Sequence, residues 1–432
     1  MRHIELLLDK IRESKTSDFI RSALTLMSGT AISQIIPFFI APIISRLYYP
    51  EDYAVVATYN SITVLLTIVA TGMYSSALII DETDEKAFNT GIAAFIVTSV
   101  ITILSLIIFL IFSDSIAKLT GNENIIFWLY LIPLTVFFSG GYQTLNMWNN
   151  RKKRYKRLAA NSIFQTIITS ATTLFFGFIG WHATGFLISL LIGQAFAFLL
   201  LFSQTLINDT HLLKTANING IKSSFITHID FPKYNMPQGF LDGFRESSIV
   251  LIISNFFGAS ALGSYSFSMS ILNKPVQFIG ASFSQIFYQK ASERYNSGKE
   301  IFGLTKKTII LLFIISLPIF LTLVIWGREI FIFVFGKNWE QAGYLSQILA
   351  SWLFLKFIIS PVLSIPQTLG KQKTFFFFVL IYNITMPLAL LVPSLFEKSI
   401  IVALSLFTFM GVLNHISMQV WISTILKTKI KK

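Results

Sequence analysis

The sequence predicts an all-α membrane protein of about twelve transmembrane helices. Of its 432 residues, 53% are hydrophobic and 13% are charged, and 43 are Phe. A soluble domain carries about 25% charged residues, and this many apolar side chains cannot be buried in one water-soluble core. The repeating unit of the chain is an apolar stretch of roughly 20 residues, which is the length of a membrane-spanning helix.

Twelve segments are long and apolar enough to span a membrane. The first six are predicted at Ser22–Ser45, Tyr53–Ile80, Ala87–Phe112, Ile125–Trp148, Leu158–Gly180 and Ala183–Ile207. The second six are predicted at Met236–Phe257, Leu262–Tyr288, Thr308–Trp326, Ala342–Leu369, Thr374–Phe396 and Ser399–Leu426. The run Ile330–Phe335 is too short to span the membrane and is expected to lie in the interface.

The polar segments divide the chain into two halves. Residues 1–21 are polar and amphipathic, and residues 427–432 form a basic tail. The longest polar connection, 208–233, is expected to be a loop between a first lobe of residues 22–207 and a second lobe of residues 234–426. Gln143-Thr144-Leu145 and Gln367-Thr368-Leu369 echo one another between the halves. Two related halves of the same orientation indicate a parallel repeat, which places a substrate site at their interface.

The positive charges predict the orientation. With the N-terminus in the cytoplasm, 26 Lys and Arg residues lie on the inside and five on the outside. An excess of Lys and Arg in cytoplasmic loops is the usual sign of topology, so both termini are expected inside. The net charge of +13 is then explained by topology and by contact with anionic lipid head groups, without nucleic acid.

No cofactor and no metal site is expected. The chain has no Cys, its five His are scattered, and it contains no phosphate-binding G-x-x-x-x-G-K-[ST] pattern. The acidic stretch Asp81–Glu85 is interpreted as a solvated turn, because no soluble domain surrounds it that could use a metal motif.

Three basic residues remain inside predicted spans: Arg245, Lys274 and Lys356. A rise of 1.5 Å per residue places each of them about 18 to 21 Å from the outer end of its helix. A charge at this depth costs about 2.5 to 3.5 kcal/mol, so it normally faces a protein interior or a watery cavity. Arg46, at the outer end of the first span, either adds to such a cavity or snorkels to the interface.

Two acids accompany Arg245. Asp242 and Glu246 share one helix face with it, at the i, i+3 and i+4 spacing. One interpretation is a structural salt-bridge cluster, and the other is the ionisable lining of a cavity with net positive charge. In the second case Asp242 and Glu246 are candidates for coupling to H+ or Na+, whereas a permanent ion pair with Arg245 would leave them uncoupled.

A motif at the end of the first span carries a family resemblance. Pro42-Ile-Ile-Ser-Arg46-Leu-Tyr-Tyr-Pro50-Glu-Asp-Tyr53 is similar to an Arg-Leu-x-x-Pro-Glu-x-Tyr-Gly pattern, and Leu262-Gly263-Ser264-Tyr265 is its counterpart in the second half. The chain therefore resembles the Wzx-type polysaccharide flippases of the multidrug/oligosaccharidyl-lipid/polysaccharide (MOP) exporter superfamily. It differs at Ala54, where the family commonly has Gly.

The resemblance implies a MATE-like fold with two six-helix lobes around a central cationic cavity. It implies transport of undecaprenyl-pyrophosphate-linked repeat units of O-antigen or capsule across the bacterial inner membrane, and no catalysis. The implied partners are the lipid-linked oligosaccharide, membrane lipids, H+ or Na+, a polysaccharide polymerase and a chain-length regulator. The alternatives are a MATE-type drug or cation antiporter, a peptidoglycan-precursor flippase, and a membrane polymerase or ligase, for which the outside loops are too short.

We expect reporter fusions placed after Lys432 and within residues 208–233 to report the cytoplasm, because 26 of the loop and terminal cations lie on that side and five on the other. A fusion after Lys118, in a predicted outside loop, serves as the control of opposite sign. A periplasmic signal at either of the first two sites would contradict the predicted topology.

Overall fold

The protein is seen in a computed structural model that describes residues 15–122, 125–213, 215–396 and 399–430. Every regular element in these ranges is helical. The long helices are α1 (Lys15–Leu47), α2 (Pro50–Ala70), α3 (Asp84–Thr120), α4 (Ile132–Arg151), α5 (Tyr155–Phe178), α6 (His182–Leu213), α7 (Met236–Asn296), α8 (Phe302–Phe335), α9 (Glu340–Ile359), α10 (Gln372–Phe396) and α11 (Ile400–Ile430). Short helical pieces lie between them at Tyr74–Ala77, Ile126–Leu129, Ile218–Thr227, Phe231–Asn235, Lys337–Trp339, Ser360–Ser364 and Ile365–Thr368.

The all-helical membrane class is confirmed. In the described residues, nine helices are long and apolar enough to cross a membrane, and Ala31–Leu47 adds a shorter apolar stretch. The predicted seventh and eighth spans together form α7, which runs from Met236 to Asn296. The fifth predicted span is helical as α5. It is not among the nine because its polar residues, including many Ser and Thr, lower its mean hydropathy. The arrangement of twelve spans in two lobes remains a prediction.

The turn expected between the seventh and eighth spans is a single residue inside α7. Gly258 has φ 82° and ψ 178°, which breaks the helical geometry while the residues on both sides stay helical. A positive φ of this size is open to Gly and strained for other residues. The helix therefore changes direction at Gly258 without an intervening loop.

One local expectation is wrong. The run Ile330–Phe335 does not form a separate interfacial segment, because α8 continues through a kink at Trp326 and buries Phe331 and Phe335. The connection 208–233 is largely helical, and its role as a loop between two lobes remains a prediction. Its helix Ile218–Thr227 is begun by Asn217, whose side chain accepts a hydrogen bond from the Gly220 amide.

The N-terminal amphipathic segment lies mostly outside the described residues. Residues 1–14 fall outside them, and α1 begins at Lys15. Of the basic tail, Lys427 continues α11, whose described part ends at Ile430, and residues 431–432 fall outside the description.

The acidic stretch at Asp81–Glu85 is not simply a solvated turn. The Asp81 side chain is 8% exposed; its Oδ1 lies 2.9 Å from His228 Nε2, and its Oδ2 accepts a hydrogen bond from the Thr90 hydroxyl at 2.7 Å. Asp84 forms ion pairs with Arg151 and Lys152. The Asp84 carboxylate thus holds the basic α4–α5 connection. The burial of Asp81 is tolerated because its hydrogen bonds replace those to water.

Of the described residues, the first compact unit takes 15–40, 62–114, 126–213 and 215–243. Leu145, Leu158, Phe198 and Leu201 form one buried cluster, and the ring of Phe95 packs against it. Near the basic connection, Asp209 accepts hydrogen bonds from Trp148 Nε1 at 2.9 Å and from Arg154 Nη2 at 2.7 Å. The hydrogen bond with Asp209 raises the pKa of Arg154.

The second compact unit takes the described residues 41–61, 115–122, 125, 244–396 and 399–430. The end of α1 and the start of α2 therefore pack with later helices. Trp339 is fully buried and donates a hydrogen bond to the Ser45 carbonyl at 2.7 Å, and the Ser45 hydroxyl donates one to the Phe335 carbonyl at 3.1 Å. The Tyr53 ring meets those of Phe267 and Trp339 edge to face, at centroid distances of 5.2 and 5.0 Å.

Gly263 is required by a close approach to the backbone of Pro50. A Cβ atom on Gly263 would overlap the carbonyl group of Pro50. Both residues belong to the sequence motifs that carry the family resemblance, so the motif Gly and the motif Pro meet in the fold. No side chain larger than hydrogen fits at this contact without moving α2 away from α7.

We expect Gly263→Ala to lower the free energy of unfolding by about 1 to 3 kcal/mol, the usual cost of overpacking. The matched control is Gly91→Ala in α3, where a Cβ would lie 3.9 Å from Thr144 Cγ2 in ordinary contact. Alanine favours helix over glycine by up to about 1 kcal/mol, so the control should hold or gain stability. The measurement is the thermal unfolding midpoint of the purified chain in detergent; equal midpoints for the two variants would contradict the close contact.

Candidate functional site

Arg245 is held by side chains of α10. Its side chain is 15% exposed, and Nη1 donates a hydrogen bond to the Asn383 Oδ1 atom at 3.0 Å. The guanidinium carbon lies 4.8 Å from the centre of the Tyr382 ring. Stacking on an aromatic face and donation to an amide oxygen orient a guanidinium without neutralising its charge. Arg245 is therefore a preorganised cation in an apolar part of the chain.

The carboxylate beside Arg245 faces outward. Glu246 accepts a hydrogen bond from Arg245 Nη2 at 3.1 Å, and its side chain is 70% exposed. Asp242 lies one helical turn earlier on α7 and is half-buried. Asp242 belongs to the first compact unit of the chain and Glu246 to the second, because the boundary between the units lies between Gly243 and Phe244.

Lys356 lies close enough to Arg245 and Glu246 to interact with both charges. Its Nζ atom lies 3.5 Å from the Asn273 Oδ1 atom and 5.5 Å from the centre of the Trp352 ring. Its surroundings are thus an amide and an aromatic face, and no carboxylate forms a direct ion pair with it among the described residues. Arg245 of α7 and Lys356 of α9 are therefore near enough for their charges to interact, although each donates to a different amide.

Lys274 and Arg46 are placed differently. Lys274 follows Asn273 on α7 and is half-buried, and its amine has no hydrogen bond or ion pair to a described residue. Arg46 is exposed at the end of α1, where Nη2 lies 3.4 Å from the Val334 carbonyl. Its described contact is therefore with the end of α8 and not with the groups around Arg245.

Comparison with known proteins identifies the family. A family model described as "Polysaccharide biosynthesis protein" matches residues 43–343, which is more than half of the chain. The chain belongs to this polysaccharide biosynthesis family. None of the curated proteins compared shows significant sequence similarity to it.

Solved structures of transporters share the fold of this family member. An inward-facing multidrug resistance MATE transporter of the MOP superfamily has a TM-score of 0.72 at 11% identity, over 93% of this chain and 99% of that chain. The lipid II flippase MurJ in an inward closed conformation has a TM-score of 0.70 at 14% identity, over 93% and 90%. The MATE multidrug transporter DinF-BH has a TM-score of 0.64 at 17% identity, over 95% of each chain.

These matches confirm the resemblance to the MOP exporter superfamily drawn from the motif around Arg46. They show that this polysaccharide biosynthesis protein has the fold of membrane transporters and flippases. At identities of 10 to 18% they show the fold alone, so the residues around Arg245 have to be interpreted by their own geometry.

Sequence reasoning missed the residues that surround the cations. Tyr382, Asn383 and His415 lie in apolar helices where no spacing links them to Arg245. The His415 ring meets the Tyr382 ring at 5.5 Å, edge to face, and His415 Nδ1 lies 2.8 Å from the Gly411 carbonyl. The amide of Asn383 within an apolar run was a signal that another polar group lies nearby, because a buried polar side chain requires a hydrogen-bond partner.

The chemistry of this cluster suits an anion. The guanidinium of Arg245 has five N–H donors, and its contacts with Asn383 and Glu246 use two of them. The amine of Lys356 is close by with neutral neighbours. In a medium of low dielectric constant, charge-assisted hydrogen bonds to such groups are short and strong.

Proposed function

We propose that this protein moves an undecaprenyl-pyrophosphate-linked oligosaccharide repeat unit, of O-antigen or capsule type, from the cytoplasmic to the periplasmic leaflet. The observation that carries the proposal is a pair of cations, Arg245 and Lys356, near enough to interact inside apolar helices. It is supported by membership of a polysaccharide biosynthesis family and by a transporter fold. Transport proceeds by alternating access, in which the cations are exposed first to one side of the membrane and then to the other.

The pyrophosphate is the charged part of this substrate, so it has the largest free-energy cost of crossing the hydrocarbon core without the protein. An isolated charge pays a desolvation cost of several kcal/mol or more on leaving water. Arg245 offsets the desolvation cost by charge-assisted hydrogen bonds to the phosphate. Because Tyr382 and Asn383 already orient its side chain, little conformational entropy is lost when a phosphate oxygen binds. Lys356 supplies a second positive charge, and Lys274 and Arg46 are proposed to extend the path.

A MATE-type antiporter of cationic drugs is the main competing function. A site for cations is expected to carry an excess of carboxylates, whereas the described neighbourhood of Arg245 has two cations, Arg245 and Lys356, against the carboxylate of Glu246. Complementary charge favours one ligand and like charge disfavours another, so the excess of positive charge supports an anionic substrate.

The exposed carboxylate also suggests how transport is coupled. Glu246 is the ion-pair partner of Arg245, and a phosphate oxygen that binds the same guanidinium competes with it. Once displaced, Glu246 has lost its counter-charge and can take up a proton or a sodium ion, with Asp242 one turn away as a second candidate. Coupling of this kind requires a group whose ligand differs between the two conformations.

We expect Arg245→Ala to reduce the rate of flipping about tenfold or more, because a hydrogen bond to a charged group is worth about 1.5 to 3 kcal/mol. Lys356→Ala and Lys274→Ala should also reduce it, and Arg245→Lys should be milder than Arg245→Ala. The measurement is the protection of a fluorescent undecaprenyl-pyrophosphate-linked oligosaccharide from an impermeant quencher in vesicles containing the full chain.

The control variant for charge is Lys118→Ala, which removes an exposed cation from the last turn of α3. Gel filtration of each variant before reconstitution separates a loss of transport from a loss of folding. Transport at the parent rate by all three Ala variants would show that the cluster is structural. Faster transport of an amphipathic cation than of the anionic lipid by the parent protein would favour the antiporter.

We expect Glu246→Gln or Asp242→Asn to abolish the response of flipping to an imposed pH or sodium gradient. Both substitutions keep size and hydrogen bonding and remove the ionisable carboxyl group. The same vesicle assay, run with and without each gradient, measures the response, and the basal rate without a gradient is its internal control. If both variants respond to the gradients as the parent does, the two carboxylates are scaffold and coupling occurs elsewhere.

A further inference from the structure

The first compact unit contains a cleft between α3, α4 and α6 that is separate from the residues around Arg245. Its cavity volume is about 410 Å³. It runs along α3 from Phe88 to Ile103, which at 1.5 Å per residue is about 22 Å. That length is more than the roughly 15 Å of one leaflet in a hydrocarbon core about 30 Å thick, so the cleft is long enough to follow an acyl chain through its leaflet.

The walls of the cleft are apolar, and part of its rim is exposed. Ile96, Val100 and Ile103 line it while exposing 42, 49 and 58% of their surface. Gly91 lies in the wall without a side chain, and a Cβ atom there would meet nothing closer than Thr144 Cγ2 at 3.9 Å. The space is therefore suited to a flexible hydrocarbon chain that enters from the side.

One end of the cleft is polar. Thr205 lines it with a side chain that is 7% exposed and whose hydroxyl oxygen has no hydrogen-bond partner among the described residues. Trp148 and Asp209 also line this end, but they are bonded to one another and Asp209 is bonded to Arg154. A buried hydroxyl without a partner in a native fold calls for an explanation, and a polar group of a bound ligand is one.

Positive charge surrounds the same end. Arg151, Lys152 and Arg154 lie at the α4–α5 connection and pair with Asp84 and Asp209. The Lys152 amine lies 5.2 Å from the centre of the Trp148 ring, at the wall of the cleft. The neighbouring Arg157 donates a hydrogen bond to a neutral group, Asn149 Oδ1. The cations outnumber the carboxylates here, so the end of the cleft is complementary to an anion.

We propose that this cleft binds an anionic phospholipid, with one acyl chain between α3, α4 and α6 and its phosphate beside Lys152 and Arg157. An ester oxygen of the glycerol group would accept the hydrogen bond from Thr205. On the proposed topology the lipid belongs to the cytoplasmic leaflet, where anionic head groups attract basic segments. The site is distinct from the transported substrate, and its test measures binding and not transport.

The experiment is native mass spectrometry of the full chain released from nanodiscs that contain equal amounts of phosphatidylglycerol and phosphatidylcholine with identical acyl chains. We expect the parent to retain one phosphatidylglycerol molecule about tenfold more often than phosphatidylcholine. The phosphatidylglycerol head group carries one more unit of net negative charge, and a basic side chain contributes about 1 kcal/mol to binding such charge. Gly91→Leu fills the cleft and should abolish this retention.

Two pairs of variants distinguish the part of the site that holds the acyl chain from the part that binds the phosphate. Gly303→Leu makes the same substitution at a helical position with no atom within 4 Å of the added Cβ, and should retain lipid as the parent does. Lys152→Gln should lower the preference for phosphatidylglycerol severalfold, whereas Lys156→Gln, at an exposed neighbouring position, should not.

Retention of phosphatidylglycerol by Gly91→Leu at the parent level would overturn the proposal. Equal retention of the two lipids by the parent would overturn the anionic part of it. Displacement of the bound phospholipid by an equimolar polyprenyl phosphate would overturn the choice of occupant, because it would assign the cleft to an isoprenoid chain.

Discussion

Hydrocarbon offers no hydrogen-bond partner to a peptide group, and the rest of this structure depends on that constraint. A chain that crosses a bilayer must satisfy each backbone N–H and C=O internally, which leaves the α-helix as the available form for a single polypeptide segment. The described residues accordingly form helices from α1 to α11. Departures from helical geometry fall at single residues, such as Gly258 and Trp326.

The same constraint explains how polar side chains are used inside the helices. Buried Ser and Thr hydroxyls mostly donate to the carbonyl four residues earlier, as Ser316 and Ser394 do. Side chains that cannot close such a local bond need a partner from another helix. Arg245 therefore reaches Asn383 and Tyr382, and Trp339 reaches the Ser45 carbonyl. These few polar contacts give specificity to apolar surfaces that would otherwise pack in many ways.

The two compact units use charge in different ways. In the first, Asp84 and Asp209 pair with the cations of the α4–α5 connection and hold the ends of the helices together. In the second, Arg245 and Lys356 are surrounded mainly by amides and aromatic rings, which orient a cation without cancelling it. The paired cations of the first unit therefore mainly stabilise the fold, and only the positive charge in excess of these carboxylates is available to the proposed lipid phosphate. The cations of the second unit keep their charge available for the transported anion.

The sequence by itself determined the helical membrane class, most helix ends to within a few residues, and which charged residues lie within the long apolar helices. These properties depend on the free energy of transferring a local segment out of water, and that free energy follows from the residues of the segment itself. The motif around Arg46 likewise indicated the family, because it is a local pattern. Only the tertiary structure decided which cations meet. Arg245 pairs with Asn383, 138 residues away, and Lys356 meets Asn273 while Lys274 stays apart. Contacts between helices depend on rotation and packing of whole elements, and no periodicity within one helix records them.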